Sequence, residues 1–420
     1  AESPTTTYTD ANGIGAFYYQ PPTGALALCT ANLPEMTPDV AGDTPQDYFK
    51  AVTYTGVATN SGNFTVPVGF QSDLIWIKRR NNGNSHNLFD SVRGFDKWLI
   101  SDFNGAERNN TSNNSGNPKI STVNSSGFTV HDNLNAEVNE SGGTYVAWCW
   151  KAGGAPTEDN TATSGAMNAN GSAATSSNSS VSLNGTLQSN YTPAGSPTIY
   201  PTRMSINTDA GFSIVKYQGA SASNSKLPHG LTQAPEMVII KNLDNANGWV
   251  IGNDYLTNWG YSLGLDLPNA EYTSAASFDS TAPTNSVITL GNSSGANNSS
   301  YNYIAYCFHS VEGYSKFGSY TGNGSADGPF VYCGFRPAFV ICKGGNVSSY
   351  WVIHDSARNG YNGNNKDLYA SLSQTEASSN MIDILSGGFK IRVTTGEING
   401  NGSYIFMAFS EQPFKFSNAR

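Results

Sequence analysis

Five residues of one short stretch carry side chains suited to gripping a ligand. In Tyr350-Trp-Val-Ile-His-Asp-Ser-Ala-Arg-Asn-Gly-Tyr361 they are Tyr350, His354, Asp355, Arg358 and Tyr361. Aromatic faces stack on the C–H faces of sugars, and planar polar groups pair with hydroxyls. These five are the candidate non-catalytic ligand site. The competing reading is structural: Asp355 and Arg358, three residues apart, suit an ion pair inside a loop. Asp90, Arg93, Asp96 and Lys97 make a similar charged cluster ahead of Trp98. Lys78-Arg-Arg80 reads as a solvated strand end.

Other chemistries find less support. No Gly-x-Ser-x-Gly elbow sits where a strand meets a helix. Cys149 and Cys307 fall in the middle of apolar runs, where a thiol packs rather than reacts. His86, His131, His229, His309 and His354 stand alone, with no His-x-x-x-His or Cys-x-x-Cys pair to hold zinc. No resident cofactor is expected, although surface Asn, Asp and carbonyl oxygens could hold Ca²⁺ between loops. The Gly-rich run Gly318–Ser325 lacks the helix and the Lys-Ser/Thr pair of a phosphate cradle. Glycoside cleavage needs two facing carboxylates. Asp90, Asp96, Asp102, Asp254, Asp355, Glu312 and Asp383 are available, but none forms a distinctive local pair.

The chain that must position these groups has 420 residues and only 13% charged ones. A soluble domain usually has about 25%, so Gly, Ser, Thr and Asn must supply the polar surface. Aromatics at 12% exclude a disordered chain. The net charge of −9 is spread without a basic patch: residues 49–154 hold nine bases against eight acids, and residues 155–316 five against ten. No nucleic-acid partner is expected. No apolar run of about 18 residues occurs, so no membrane insertion is expected. Five widely spaced cysteines read as buried free thiols rather than a disulfide framework.

Internal repetition organises the rest. Gly69-Phe-Gln-Ser-Asp-Leu-Ile-Trp-Ile-Lys78, Gly230-Leu-Thr-Gln-Ala-Pro-Glu-Met-Val-Ile-Ile-Lys241 and Gly334-Phe-Arg-Pro-Ala-Phe-Val-Ile-Cys-Lys343 share one plan: a glycine turn, then an apolar run closed by Lys. Trp98, Trp249 and Trp351 open a following strand and are expected in the core at one register. Tyr145–Trp150, Tyr303–Phe308 and Tyr404–Phe409 close each unit, and Tyr54-Thr-Gly56, Tyr217-Gln-Gly219 and Tyr320-Thr-Gly322 open it. Strand-length runs between polar turns, with almost no helical periodicity, predict an all-β chain of three tandem β-sandwich, jelly-roll-like repeats. The expected repeats are 49–154, 212–316 and 317–420, with a polar linker or surface excursion at 155–211 and an N-terminal extended arm at 1–48. The repeats could lie in a row or pack around a pseudo-axis.

The shared strands, the entry Pro21-Pro-Thr-Gly24 and Ala27-Leu-Cys-Thr-Ala-Asn-Leu-Pro34, and the ending Phe317-Gly-Ser-Tyr-Thr-Gly-Asn-Gly-Ser-Ala-Asp-Gly-Pro-Phe330 … Phe409-Ser-Glu-Gln-Pro-Phe-Lys-Phe-Ser-Asn-Ala-Arg420 carry a resemblance. The chain resembles the C-terminal region of large virion proteins of marine tailed bacteriophages and cyanophages, which carry a domain of unknown function. The resemblance covers most of the chain and supplies no catalytic residues. It implies a tail fibre, head fibre or decoration protein. The implied partners are other virion proteins, a host-surface glycan, and copies of itself, trimeric by analogy. It also implies that residues 1–34 resemble the end of an upstream sandwich, so that the chain is a processed or truncated product. Adhesion or docking without catalysis is the leading expectation. A polysaccharide-degrading tail enzyme and a purely structural decoration protein are the alternatives.

Overall fold

The computed structural model describes residues 7–27, 44–57, 63–109, 118–131, 137–358, 362 and 366–412. Strands dominate it. A 3-10 turn at Pro45–Asp47 and a four-residue helix at Ala275–Phe278 are the described helical pieces. The same four-strand antiparallel order occurs in three large sheets: opening, closing, central, outer. In the first unit these are Phe49–Thr55, Thr144–Trp150, Leu74–Arg79 and Asn87–Asp90. In the second they are Phe212–Gln218, Asn302–Phe308, Met237–Asn242 and Val250–Asn253. In the third they are Ser315–Thr321, Ser403–Gln412, Arg336–Gly344 and Val352–Asp355. A smaller sheet accompanies each: Phe64–Pro67 with Gly127–Val130 and Ile120–Asn124, Ser225–Pro228 with Val287–Leu290, and Phe330–Tyr332 with Gly388–Ile391 and Ile382–Leu385.

Alternation along each closing strand shows where the core lies, because successive side chains leave opposite faces. Tyr145, Ala147 and Cys149 point into the first unit's own sandwich, while Val146, Trp148 and Trp150 point the other way. Tyr303, Ala305 and Cys307 oppose Ile304, Tyr306 and Phe308 in the second unit. Tyr404, Phe406 and Ala408 oppose Ile405, Met407 and Phe409 in the third. The second set from all three units forms one shared core, so the units pack around a pseudo-threefold axis. Near it Trp150 meets Phe409 at 5.7 Å, Phe308 meets Phe409 at 6.3 Å, and Phe49 stacks on Phe409 at 5.1 Å. A strand buried on both faces loses the apolar/polar alternation of a half-exposed one, which is why these runs read as continuously apolar. A cavity of about 20 Å³ among Trp76, Trp150, Trp249, Tyr306, Phe308 and Met407 remains in this shared core. Its apolar walls offer a water too few partners, so it stays dry.

Each opening strand ends in the same lock. The ring pairs Tyr54–Tyr145, Tyr217–Tyr303 and Tyr320–Tyr404 stack at 5.0, 5.3 and 5.3 Å. The first tyrosine of each pair donates its hydroxyl to Val138, Ala296 or Ile398 at 2.7–2.9 Å. A Cβ at Gly56, Gly219 or Gly322 would stand only 2.2, 2.4 or 2.1 Å from a carbonyl oxygen. Only glycine allows that approach.

Three expectations change. Trp98 is buried in the first unit's own sandwich, and the partner of Trp249 and Trp351 in the first unit is His86. The outer strand there starts at Asn87, so the sequence match to Trp98 was displaced by one turn. The stretch 155–211 is not a linker. Val181–Leu183, Thr186–Leu187 and Arg203–Asn207 extend the second sheet to seven strands, and Met167, Val181 and Ile199 enter its core. Scarce charge and many Ser and Asn hid strands that carry few apolar residues each. Of the N-terminal arm, residues 7–27 form a small hairpin-like piece tied together by Asp10, which accepts the amides of Asn12, Ile14 and Ala27. Residues 28–34 of the entry motif, with Cys29, lie outside the described residues, as does 413–420. The four described cysteines are buried free thiols.

The Lys that closes each central strand is buried and caged by carbonyls. Lys78 donates to Arg79 and to Ser373 of the third unit; Lys241 to Asn242, Asn247 and Asn104 of the first; Lys343 to Gly344 and to Pro268 and Asn269 of the second. Burial draws all three ammoniums down to about 8. An unfolded lysine keeps its proton to about pH 10.4. Between those values the folded state binds fewer protons, so each lysine's contribution to stability grows as pH rises. Lys241→Met leaves carbonyls unpaired and lowers stability by about 1–3 kcal/mol at neutral pH. Its cost relative to the wild type should widen between about pH 7 and pH 10, as read by denaturant unfolding; the buried thiols are common to both proteins and cancel.

Candidate functional site

The aromatic ring nitrogens reach between units in one cyclic sense, first to third, third to second, second to first. His86 Nε2 lies 2.9 Å from the Tyr369 carbonyl; Trp351 Nε1 donates to Gly264 at 2.8 Å; Trp249 Nε1 donates to Ile100 at 3.0 Å. The three carbonyls occupy equivalent places one residue after Leu368, Leu263 and Leu99, which adjoin the outer strands. Burial draws the His86 imidazole well below its ordinary value, so it is neutral. Trp76 Nε1 donates to its Nδ1 at 2.8 Å, which leaves the proton on Nε2, facing Tyr369. A second ring of backbone bonds joins Glu376 to Arg80, Glu271 to Gly345 and Glu107 to Leu243 at 2.7–2.8 Å.

Asp355 and Arg358 belong to this seam. Arg358 Nε donates to Asp355 Oδ2 at 2.6 Å, its other nitrogens reach Ile353 and Glu376, and both side chains are fully buried. Asp355 Oδ2 also accepts Trp148 Nε1 of the first unit at 2.9 Å. The first unit repeats this: Arg93 donates to Asp90 at 2.5 Å and to Leu88 and Glu107, and Asp90 accepts the Tyr306 hydroxyl of the second unit at 2.7 Å. Burial and the Asp90 charge push that phenol up, so it remains the donor. The third position differs as a set. The inward residue is Met407, which has no donor, and the second unit carries Asn253 and Leu256 where the others carry Asp and Arg. An acid–base pair is retained only where a donor meets it.

The four described residues of the five singled out in the sequence therefore do not form an open clamp. Asp355 and Arg358 hold the seam. His354 is buried and kept neutral by burial. Tyr350 is half-buried, its ring 5.9 Å from Tyr369 and its amide on Glu397. Tyr361 lies outside the described residues. A local window shows residue types but not that a neighbouring unit buries them.

An open groove of roughly 290 Å³ lies instead where the second and third units meet the smaller sheet of the third. Tyr255, Lys316, Ser319, Phe330 and Tyr332 line it. Phe330 is 49% exposed and Tyr332 70%. At the same strand positions the first unit has Thr65 and Pro67, and the second has Lys226 and Pro228. The aromatic pair is thus a property of one unit, not of the fold. The signal is legible in the sequence only when the three repeats are aligned strand by strand, because the pair replaces Thr65 and Pro67 or Lys226 and Pro228. Beside the groove, Tyr255 donates to Glu236 at 3.1 Å, and Asp254 accepts Trp259 Nε1 at 2.7 Å. Burial, and the Glu236 charge after it, raise the Asp254 carboxyl. Among the described residues no group of three His, Cys, Asp or Glu is placed to hold a metal ion, and no helix is long and apolar enough to cross a membrane.

Neutralising Asp355 alone takes from a buried guanidinium its nearest countercharge and leaves it the longer contact to Glu376. Asp355→Asn should cost about 3–5 kcal/mol in denaturant unfolding. Asp355→Asn with Arg358→Leu and Trp148→Met copies the set at the seam between the third and second units, Met407 with Asn253 and Leu256, and should recover most of that loss.

No curated protein matches the chain. A family profile matches it twice, over residues 44–197 and 187–413, spanning all three sheet pairs. The chain belongs to the family described as a domain of unknown function, DUF7483.

Proposed function

We propose that this protein is a virion appendage of a tailed bacteriophage, a tail or head fibre component, and that it adheres without catalysis to a host-surface glycan. The groove of the third unit carries this reading. Phe330 and Tyr332 project from a strand edge, with Tyr255 and Lys316 beside them. Exposed rings on a rigid sheet suit sugar faces, and the flanking hydroxyls, amine and backbone groups suit sugar hydroxyls. The virion setting rests on the resemblance of the repeated strands and termini. A surface low in charge and rich in Asn, Ser and Thr is compatible with that setting.

The test copies a sister unit. Phe330→Lys with Tyr332→Pro gives the third unit the residues the second already carries, so the strand should still fold. The wild type should be retained on host envelope polysaccharide, and the variant should lose at least about tenfold in affinity with little change in Tm. Equal retention would remove the groove from the proposal. Recovery of shortened oligosaccharides would replace adhesion by hydrolysis, with Glu236 and Asp254 the first carboxylates to substitute.

A further inference from the structure

The second unit holds a strand that has no counterpart among the described residues of the first. Arg203–Asn207 pairs antiparallel with the free side of the opening strand Phe212–Gln218, in the register Arg203 to Lys216 through Asn207 to Phe212. Its Met204 and Ile206 are fully buried in that unit's sandwich. The opening strand of the first unit, Phe49–Thr55, is the edge of its sheet. Gly56 donates its amide to Gly143, and Lys151 donates to Tyr48. By the antiparallel alternation, Lys50, Val52 and Tyr54 bond the closing strand, and Ala51, Thr53 and Thr55 turn their backbone groups outward. The equivalents of Ala51 and Thr53 in the second unit are Ile214 and Lys216, the residues Ser205 and Arg203 pair with.

The gap continues into the sandwich. Val215 is fully buried under the added strand, whereas its equivalent Val52 is half-buried, as is Phe64 beside it. Thr53 and Thr55 are exposed. The third unit has closed part of its own edge: Phe317 donates its amide to the Ser310 hydroxyl at 3.0 Å and Ser315 donates to Val311 at 2.9 Å. The first unit's edge has no such cover among the described residues. Open edges are normally blunted or filled, and the sister unit shows the filler that fits.

We infer that the edge Phe49–Thr55 is an acceptor for one extended segment of a partner polypeptide. The segment adds antiparallel as a fifth strand and sets apolar side chains at two alternate positions over Val52 and Phe64. Main-chain bonds to Ala51, Thr53 and Thr55 give the affinity, and the two side chains give the selectivity. The site is separate from the aromatic groove and does not depend on the glycan reading.

The chain supplies its own probe. A synthetic peptide of residues 201–209, Pro-Thr-Arg-Met-Ser-Ile-Asn-Thr-Asp, should bind the full chain saturably. It should slow amide exchange at Ala51, Thr53 and Thr55 by at least about tenfold. Thr53→Pro, which removes an outward amide, should abolish both effects. A peptide carrying Met204→Asp and Ile206→Asp should bind at least about tenfold more weakly, a control that leaves the protein untouched if the proline variant misfolds. Saturating peptide without protection at these amides would overturn the proposal. Protection that appears without peptide and rises with protein concentration would overturn it in favour of a second copy of this chain.

Discussion

Everything in this molecule depends on covering the second face of three sheets. A unit's own sandwich buries only one side of its closing strand. The other side carries Val146, Trp148 and Trp150 in the first unit, with Ile304, Tyr306 and Phe308 and then Ile405, Met407 and Phe409 in the others. Fully burying one such side chain is worth about 1.5–3 kcal/mol. A unit on its own would expose three of them in a row, beside a tryptophan or histidine without its carbonyl and a lysine stripped of the carbonyls its neighbour supplies. The units are therefore parts of one core rather than beads on a string.

Polar seams make that core specific. Hydrophobic packing has no direction, so three similar sheets could associate in more than one order. The aromatic nitrogens of His86, Trp249 and Trp351 and the caged ammoniums of Lys78, Lys241 and Lys343 all point to one neighbour in one cyclic sense. Each leaves a buried group unpaired if the order is reversed. The Asp–Arg pairs sharpen this further. Trp148 and Tyr306 require an acceptor opposite them, Met407 does not, and the three interfaces are not interchangeable. This is the sense in which buried ion pairs can buy specificity rather than stability.

The repeated landmarks were legible because they serve the seam and the turns. Lys78, Lys241 and Lys343, the stacked tyrosines, and the glycines at 56, 219 and 322 keep their identity since each meets a backbone atom that every unit has. His86 was missed because a histidine and a tryptophan can make the same bond to a carbonyl while looking nothing alike in sequence. The strands within 155–211 were not legible because short strands toward the end of a sheet carry only one or two core residues each, here Val181 and then Met204 with Ile206. Asp355 and Arg358 were visible as a pair, but their burial comes from Trp148, some two hundred residues away in the chain.

Three units of one plan in a single chain give each residue two internal controls. Differences at the seam come in matched sets: Met407 goes with Asn253 and Leu256, as Tyr306 goes with Asp90 and Arg93. They preserve packing and need no function to explain them. Differences on the outside are not matched among the described residues. Thr65 and Lys226 become Phe330, and Pro67 and Pro228 become Tyr332, with no described side chain changing to bury the rings. The extra strand of the second unit has no counterpart at Phe49–Thr55 among the described residues either. Exposed apolar surface costs solubility, and an open strand edge invites pairing. The fold carries a polar residue, a proline or a covering strand at the same places in its sister units, so packing among the described residues does not account for the uncompensated choices.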